Sequence, residues 1–292
     1  MDILRRPSLR ELTTLRLGGR AECGVRIRSG ADWEALSSFL EGRGLTPVCL
    51  GRGSNILARE GDLPLVLLLQ APSEMLGAES LPDGRVRVSV DAGMGLGRLL
   101  AGLRVRGLSG LEGLVGIPAT VGGAVAMNAG AYGCDMGSVL ARVRIWSPRG
   151  GRQWLERGQL AWAYREFDPG RSGFFCITEA ELDLEPRTPA EVGQRMRDCF
   201  KAKKGSQPVS ARTCGCVFKN PDSGPAAGEL LERCGFRGFF PGQVGFSRQH
   251  ANFLINQGGG RANEALELVE RARTAVLRRF GIELEREVRL LE

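Results

Sequence analysis

From Arg85 to Val90 apolar and polar side chains alternate as RVRVSV, the two-residue period of a strand with one buried face. The same alternation predicts a strand within residues 13–28, and a closing strand in which Ile282, Leu284, Val288 and Leu290 alternate with charged partners. The apolar segment Pro47 to Leu50 reads as a strand, and Leu65 to Leu69 as a buried one. Further runs at Val139–Trp146, Arg152–Glu156 and Phe174–Leu184 predict a mostly antiparallel sheet in the middle of the chain.

Helical spacing separates these runs. Ser29 to Gly42 has the capping pattern Ser29-x-x-Asp32 and an inward set of Trp33, Leu36 and Leu40. A helix is expected around Leu96 to Val105. Thr188-Pro189-Ala190-Glu191 is a capping box with proline at the first helical position, and its helix should end near Gly205. Ser223 and Pro225 open a short helix to Gly235. Asn263 is expected to cap a last one, carrying Leu266, Val269, Ala272 and Val276 and stopped by Gly281.

Two glycine-rich runs stand apart from this pattern. GRGSNIL at 51–57 follows a strand directly, and its N–H groups and the Ser54 hydroxyl suit a diphosphate. Gly113 to Gly133 is nearly uncharged, dense in Gly and Ala, and carries one amide side chain, Asn128. Such a run is either a cradle for a flat ligand or a place where protein backbones pack closely. Gly93, Gly95 and Gly97 tempt a dinucleotide-fold reading, but the third position of that fingerprint is Arg98, so a turn into the following helix is expected.

With 292 residues and 42% apolar content the chain can bury two or three compact units. The first residues are interrupted by charge, and no apolar run reaches spanning length, so a cytoplasmic protein with no membrane partner is expected. Eight cysteines without a CxxC pair read as reduced thiols, and with a single histidine they offer no recognisable metal set. A net charge of +7 fits either a polyanion or anionic small molecules. Basic residues interleaved with aromatics are lacking, which counts against nucleic acid.

The two glycine-rich runs, Tyr164-Arg165, CGCVFKNP at 214–221, HANFLIN at 250–256 and EVRLL from Glu287 together resemble the UDP-N-acetylenolpyruvoylglucosamine reductase family. The resemblance covers nearly the whole chain, in the family's order. It implies an α+β protein with an FAD-binding fold of the PCMH/vanillyl-alcohol-oxidase type, in two α+β subdomains, and a C-terminal α+β substrate-binding domain. The boundaries expected are 1–72, with 283–292 returning to that part, then 73–200 and 201–282. A short stretch between Tyr164 and the Thr188 helix resembles the family's second type, which lacks an extra substrate-covering loop.

The resemblance implies FAD as cofactor, NADPH as reductant and UDP-N-acetylglucosamine enolpyruvate as substrate, in a monomer. FAD contacts are implied for Gly51, Arg52, Gly53, Ser54, Asn55 and Ile56, and for Gly116, Ile117, Pro118, Ala119, Thr120, Gly122, Gly123, Asn128, Gly130 and Ala131. Related oxidases often tether FAD through a histidine, and no histidine precedes His250, so the flavin is expected to be non-covalent.

In the implied reaction a hydride passes from NADPH through FAD to the terminal enol carbon, leaving the carbon beside the carboxylate electron-rich. Arg165 and Glu287 are then expected to hold that charge. A guanidinium fork matches a carboxylate, whereas a Glu beside one works only when it is protonated or shares a proton. The family's proton donor is a serine, and this chain has Cys216 at that place. A thiol of pKa ~8.5 is mostly protonated at neutral pH and can serve. Tyr164, Lys204, Asn220 and His250 match substrate-contacting positions. Two other readings stay open: another flavoprotein oxidase of the same fold, or a non-catalytic flavin-binding sensor reading redox state through Cys214 and Cys216.

Overall fold

The computed structural model describes residues 1–71, 73 and 75–292, so the domain boundary expected at residue 72 lies outside the described residues. Two compact units emerge, one of Met1–Leu4, Cys23–Gly51 and Leu65–Ala202, the other of Arg5–Glu22, Arg52–Pro64 and Lys203–Glu292.

An antiparallel sheet dominates the first unit. Its strands run in the order Gly151–Glu156, Leu140–Ser147, Cys176–Pro186, Val86–Asp91 and Met75–Ser80, and Leu108–Ser109 adds a short pairing to Cys176–Pro186. Val88, Val143, Leu182 and Leu184 turn inward from these strands and pack with Leu99 and Leu103 of the helix Leu96–Arg106. That helix stands where it was expected, and Gly107 ends it at φ 66°. On the sheet's polar side the alternate residues form ion pairs, Arg87 with Asp183 at 2.7 Å and Arg142 with Glu181 at 2.7 Å.

A second sheet runs Asp2–Arg5, Arg20–Ile27, Asp62–Gln70, Thr46–Cys49, the last two parallel with Thr46 opposite Leu65. The helix Gly30–Leu40 buries Trp33 and Leu36 in a cluster with Val25, Val66 and Trp146. Cys49 and Cys176 form a disulfide with Cα atoms 6.1 Å apart, which corrects the expectation that all eight cysteines are reduced. Two strands far apart in sequence bring these sulfurs together, so no local spacing announces the pair.

In the second unit Thr213–Cys216, Phe253–Asn256 and Val244–Phe246 form a three-stranded antiparallel sheet. Phe218, Phe246, Leu230, Leu231 and Val269 fill its core, the last from the helix Ala262–Phe280. Arg289–Leu291 pairs in parallel with Ile56–Ala58.

Three expected elements change form. The strand expected over 13–28 begins only at Arg20, because Arg16 at φ 60° and Gly18 at φ 112° break the extended path. Of the closing alternation only Arg289–Leu291 is a strand, although Leu284 and Val288 are buried as foreseen. The main chain before it bonds elsewhere, Lys219 N–H to Glu285 C=O at 2.8 Å and Glu287 N–H to Val217 C=O at 2.8 Å. The cap of the last helix is Arg261 rather than Asn263, and Glu60 Oε1 accepts from the Ala262 N–H at 3.0 Å.

The capping box at Thr188 is formed: Glu191 Oε2 accepts from the Thr188 N–H at 2.8 Å, and Thr188 Oγ1 from the Glu191 N–H at 3.2 Å. Thr188→Ala should therefore destabilise the protein by about 1 kcal/mol. Urea denaturation checks this: the midpoint should fall with the slope unchanged, and an unmoved midpoint rejects the role.

Candidate active site

The glycine-rich run in the first unit is laid on the turn that precedes the helix Leu96–Arg106. Val121 N–H bonds to Met94 C=O at 2.8 Å, Gly122 N–H to Ala92 C=O at 2.9 Å, and Leu96 N–H to Ala119 C=O at 2.9 Å. Methyl groups do not fit at this contact, since a Cβ on Gly122 would fall 2.8 Å from Ala92 Cβ and one on Gly51 2.6 Å from Thr120 Oγ1. Part of the glycine content thus serves backbone packing, the second of the two readings open to the sequence. Thr120 caps the helix Val121–Ala126 by accepting from the Gly123 N–H at 3.2 Å.

The other edge of the same run stays accessible. Gly116 and Pro118 are exposed, and Ile117, Ala119, Thr120, Gly122, Gly123, Asn128, Gly130 and Ala131 are half-buried. This leaves an accessible ribbon in which six of the ten residues are glycine or alanine, the low relief that a flat cofactor needs. Among the described residues five non-glycine positions have positive φ, and three belong here: Asn128 at 37°, Tyr132 at 51° and Arg165 at 60°. Backbone in that region is costly for a residue with a side chain and gathers at functional sites.

Tyr164 and Arg165 form the two-residue tip of a hairpin between Ala161–Ala163 and Glu166–Asp168. Arg165 reaches back to the ribbon, its Nη1 lying 3.5 Å from where a Cβ on Gly130 would stand. The Arg165 guanidinium also sits 4.8 Å from the centre of the exposed Tyr164 ring. Asn128 faces inward to protein: Oδ1 accepts from the Gly137 N–H at 2.9 Å and Nδ2 donates to the Ala163 C=O at 3.2 Å.

In the second unit the rest of GRGSNIL adjoins the two remaining catalytic candidates. Gly53 is buried at φ 63°, where a Cβ would fall 2.7 Å from Thr13 Cα. Arg52 is exposed, while Ser54, Asn55 and Ile56 are half-buried. Asn55 Nδ2 donates to the Glu287 C=O at 2.9 Å. Val217 C=O accepts from Glu287 N–H and from Val288 N–H at 3.2 Å, which sets Cys216 and Glu287 on adjoining segments.

Cys214 and Cys216 would share a face of a regular strand. Gly215 at φ 78° breaks the alternation with a register shift, leaving Cys214 buried and Cys216 half-exposed. Burial, reinforced by the charge of Glu287, pushes the Cys214 thiol up to about 12. A thiol so starved of thiolate is a poor redox nucleophile.

Among the substrate candidates, Asn220 is exposed and its Oδ1 accepts from the Ala227 N–H at 3.1 Å, at the start of the helix Ala227–Arg233. Lys204 is exposed, its carbonyl accepting from Gln249 Nε2 at 2.7 Å, whereas its neighbour Lys203 is buried. His250 Nδ1 accepts from the Asn252 N–H at 3.2 Å. Burial first, then the positive charge of Arg237, holds its imidazole below the ordinary histidine range.

Asn252, within HANFLIN, is a residue that the sequence pattern alone does not single out. It is buried and grips the 214–221 block, accepting from the Phe218 N–H at 3.0 Å and donating to the Phe218 C=O at 2.8 Å. The signal available was an amide inside an apolar segment, which must find partners when buried.

A family model described as UDP-N-acetylenolpyruvoylglucosamine reductase, C-terminal domain, matches residues 207–291, and one described as FAD binding domain matches residues 21–156. A protein named UDP-N-acetylenolpyruvoylglucosamine reductase from Oleidesulfovibrio alaskensis is 48% identical over 99% of this chain and 97% of its own length. Its namesake from Nitratidesulfovibrio vulgaris is 44% identical over 100% and 99%. The crystal structure of the UDP-N-acetylenolpyruvylglucosamine reductase from Thermus caldophilus is similar throughout, with a TM-score of 0.83 at 33% identity and full coverage of both chains.

His250 is the one histidine in the chain, so its ring proton resonances can be followed without assignment. Their pH midpoint should lie below about 6.5, the ordinary value. Because the folded midpoint is depressed, the associated stabilisation is complete above that value and lost as pH falls through the folded midpoint. A midpoint above the ordinary value contradicts the burial argument.

Proposed function

The chain belongs to the UDP-N-acetylenolpyruvoylglucosamine reductase family, and on that footing we propose how its own residues carry out the reduction of UDP-N-acetylglucosamine enolpyruvate to UDP-N-acetylmuramate, a step of peptidoglycan precursor synthesis. When bound, FAD would supply two-electron redox chemistry linking NADPH to the enolpyruvyl ether.

The residues suit that cofactor. Gly116, Ala119, Gly122, Gly123, Gly130 and Ala131, interspersed with Ile117, Pro118 and Thr120, offer main chain with little bulk, and Arg52 and Ser54 offer a cation and a hydroxyl to a diphosphate. The flavin is held non-covalently. The polypeptide is read as FAD-binding parts at 1–72, with 283–292 returning to it, and 73–200, and a substrate-binding part at 201–282. We take it to act as a monomer in the cytoplasm, where NADPH and nucleotide sugars, charged molecules that do not cross a bilayer unaided, are made.

The placement of Arg165 carries the reading, because its guanidinium is held at Gly130 on the accessible ribbon rather than in solvent. There it pairs with the substrate carboxylate and stabilises the charge that builds on the adjoining carbon. Glu287 shares a proton with the same carboxylate. The Cys216 thiol gives its proton to the electron-rich carbon and recovers one from water, closing the balance. Tyr164, Lys204, Asn220 and His250 contact the diphosphate and sugar. Cys214, buried with its thiol pushed up to about 12, argues against a sensor that works by pairing the two cysteines.

Anaerobic half-reactions separate these roles. Arg165→Ala should leave flavin reduction by NADPH nearly intact and slow reoxidation by the enolpyruvyl substrate by about 10²-fold or more. Equal losses in both would instead make Arg165 a flavin or NADPH ligand.

Cys216→Ala should stall the second half-reaction, and Cys216→Ser should retain much of it, since a hydroxyl occupies the donor position. Wild-type turnover in the alanine variant would remove Cys216 from the chemistry.

A further inference from the structure

We propose that Asn128 is the positioning residue for Arg165, clamping its hairpin to the glycine-rich ribbon, rather than a ligand of the cofactor. The inference rests on the role given to Arg165 above.

The hairpin cannot hold that arginine alone. Its strands have three residues each and, among the described residues, pair with one another alone, so beyond the buried Phe167 and the packed Trp162 the tip itself is a ribbon of marginal stability. Its tip must nevertheless keep Arg165 at φ 60°. Asn128 ties the hairpin to the ribbon: Nδ2 donates to Ala163 C=O at 3.2 Å, two residues before Arg165, while Oδ1 accepts from the Gly137 N–H at 2.9 Å. One planar amide thus bridges main-chain groups of two separate segments, with a donor end and an acceptor end that are not interchangeable.

Neighbouring contacts serve the same joint. A Cβ on Gly137 would lie 3.1 Å both from Asn128 Oδ1 and from the Trp162 ring, so glycine lets the amide and the indole meet there without displacement. Trp162 stacks on Phe167 of the opposite strand at 6.0 Å, and Arg157 covers Trp162 at 5.3 Å while donating to Gly137 C=O at 2.9 Å. Asn128 itself sits at φ 37°, a conformation that asparagine and aspartate tolerate better than most residues. Both demands, a left-handed backbone and a side chain that donates and accepts, select asparagine at this position.

Asn128→Asp keeps the backbone tolerance and the bond to Gly137 but turns an oxygen toward the Ala163 carbonyl. It should retain FAD at one per chain and be reduced by NADPH within twofold of wild type. Reoxidation by the enolpyruvyl substrate should slow about 10- to 100-fold, the scale of a misplaced catalytic group. In the double variant with Arg165→Ala the loss should not exceed that of Arg165→Ala alone, because the amide acts through the arginine.

Asn128→Gly, which relieves the backbone demand, should reproduce the slowed reoxidation. It should also speed hydrogen exchange across residues 160–169 while leaving 119–126 unchanged, a readout independent of turnover. Wild-type reoxidation in both Asn128 variants beside a slow Arg165→Ala overturns this inference alone. Lost FAD, equal slowing of both half-reactions or multiplicative losses also overturn it, by making Asn128 a cofactor or general stability residue. Normal reoxidation in Arg165→Ala overturns both this inference and the reading on which it rests.

Discussion

Main chain lying too close to its neighbours to admit one methyl group is the constraint on which the first unit's site depends. Gly122 against Ala92, Gly51 against Thr120 and Gly113 against the Ala131 carbonyl each exclude a Cβ. Because one edge of the run is pressed to protein in this way, the other can stay bare without collapsing onto side chains of its own. The turn through Ala92 and Met94 supplies the carbonyls that hold it. The accessible ribbon is therefore a rigid surface, and Arg165 can be aimed at it by a small hairpin.

The second unit solves a different problem, that of bringing two distant segments side by side without a long strand. Val217 C=O takes two N–H groups from Glu287 and Val288, Asn55 holds the Glu287 carbonyl, and Asn252 satisfies both main-chain groups of Phe218. Buried amides with both ends used fix geometry well, because any shift strands a donor or acceptor at a cost of about 1–3 kcal/mol. His250 ties into the same network through the Asn252 N–H.

Elements governed by local pattern were legible in the sequence. The helix Leu96–Arg106, the capping box at Thr188 and the antiparallel sheet lie close to where periodicity and caps put them. What escaped depends on long-range pairing. Ile282 to Val288 alternates like a strand, yet its main chain bonds to the Val217 and Lys219 region instead. Cys49 and Cys176 meet across a sequence separation of 127, which no spacing rule reports. The candidate site divides in the same way. Glycine-rich composition pointed to a cradle as one of two readings, and motif resemblance alone nominated Arg165, Cys216 and Glu287. The second reading of the glycines, as sites of close backbone contact, became visible only with Ala92 and Thr120 opposite them. Asn252 and the inward-facing amide of Asn128 likewise needed partners from other segments to be read.

The central claim is that this ribbon carries a flavin which links NADPH to the enolpyruvyl ether. Mixing the purified yellow protein anaerobically with one equivalent of NADPH, then with UDP-N-acetylglucosamine enolpyruvate, tests it most directly. Absorbance near 450 nm, an approximate flavin maximum, should bleach in the first step and return in the second, with one UDP-N-acetylmuramate formed per flavin. Flavin that bleaches but is restored only by oxygen would contradict the account.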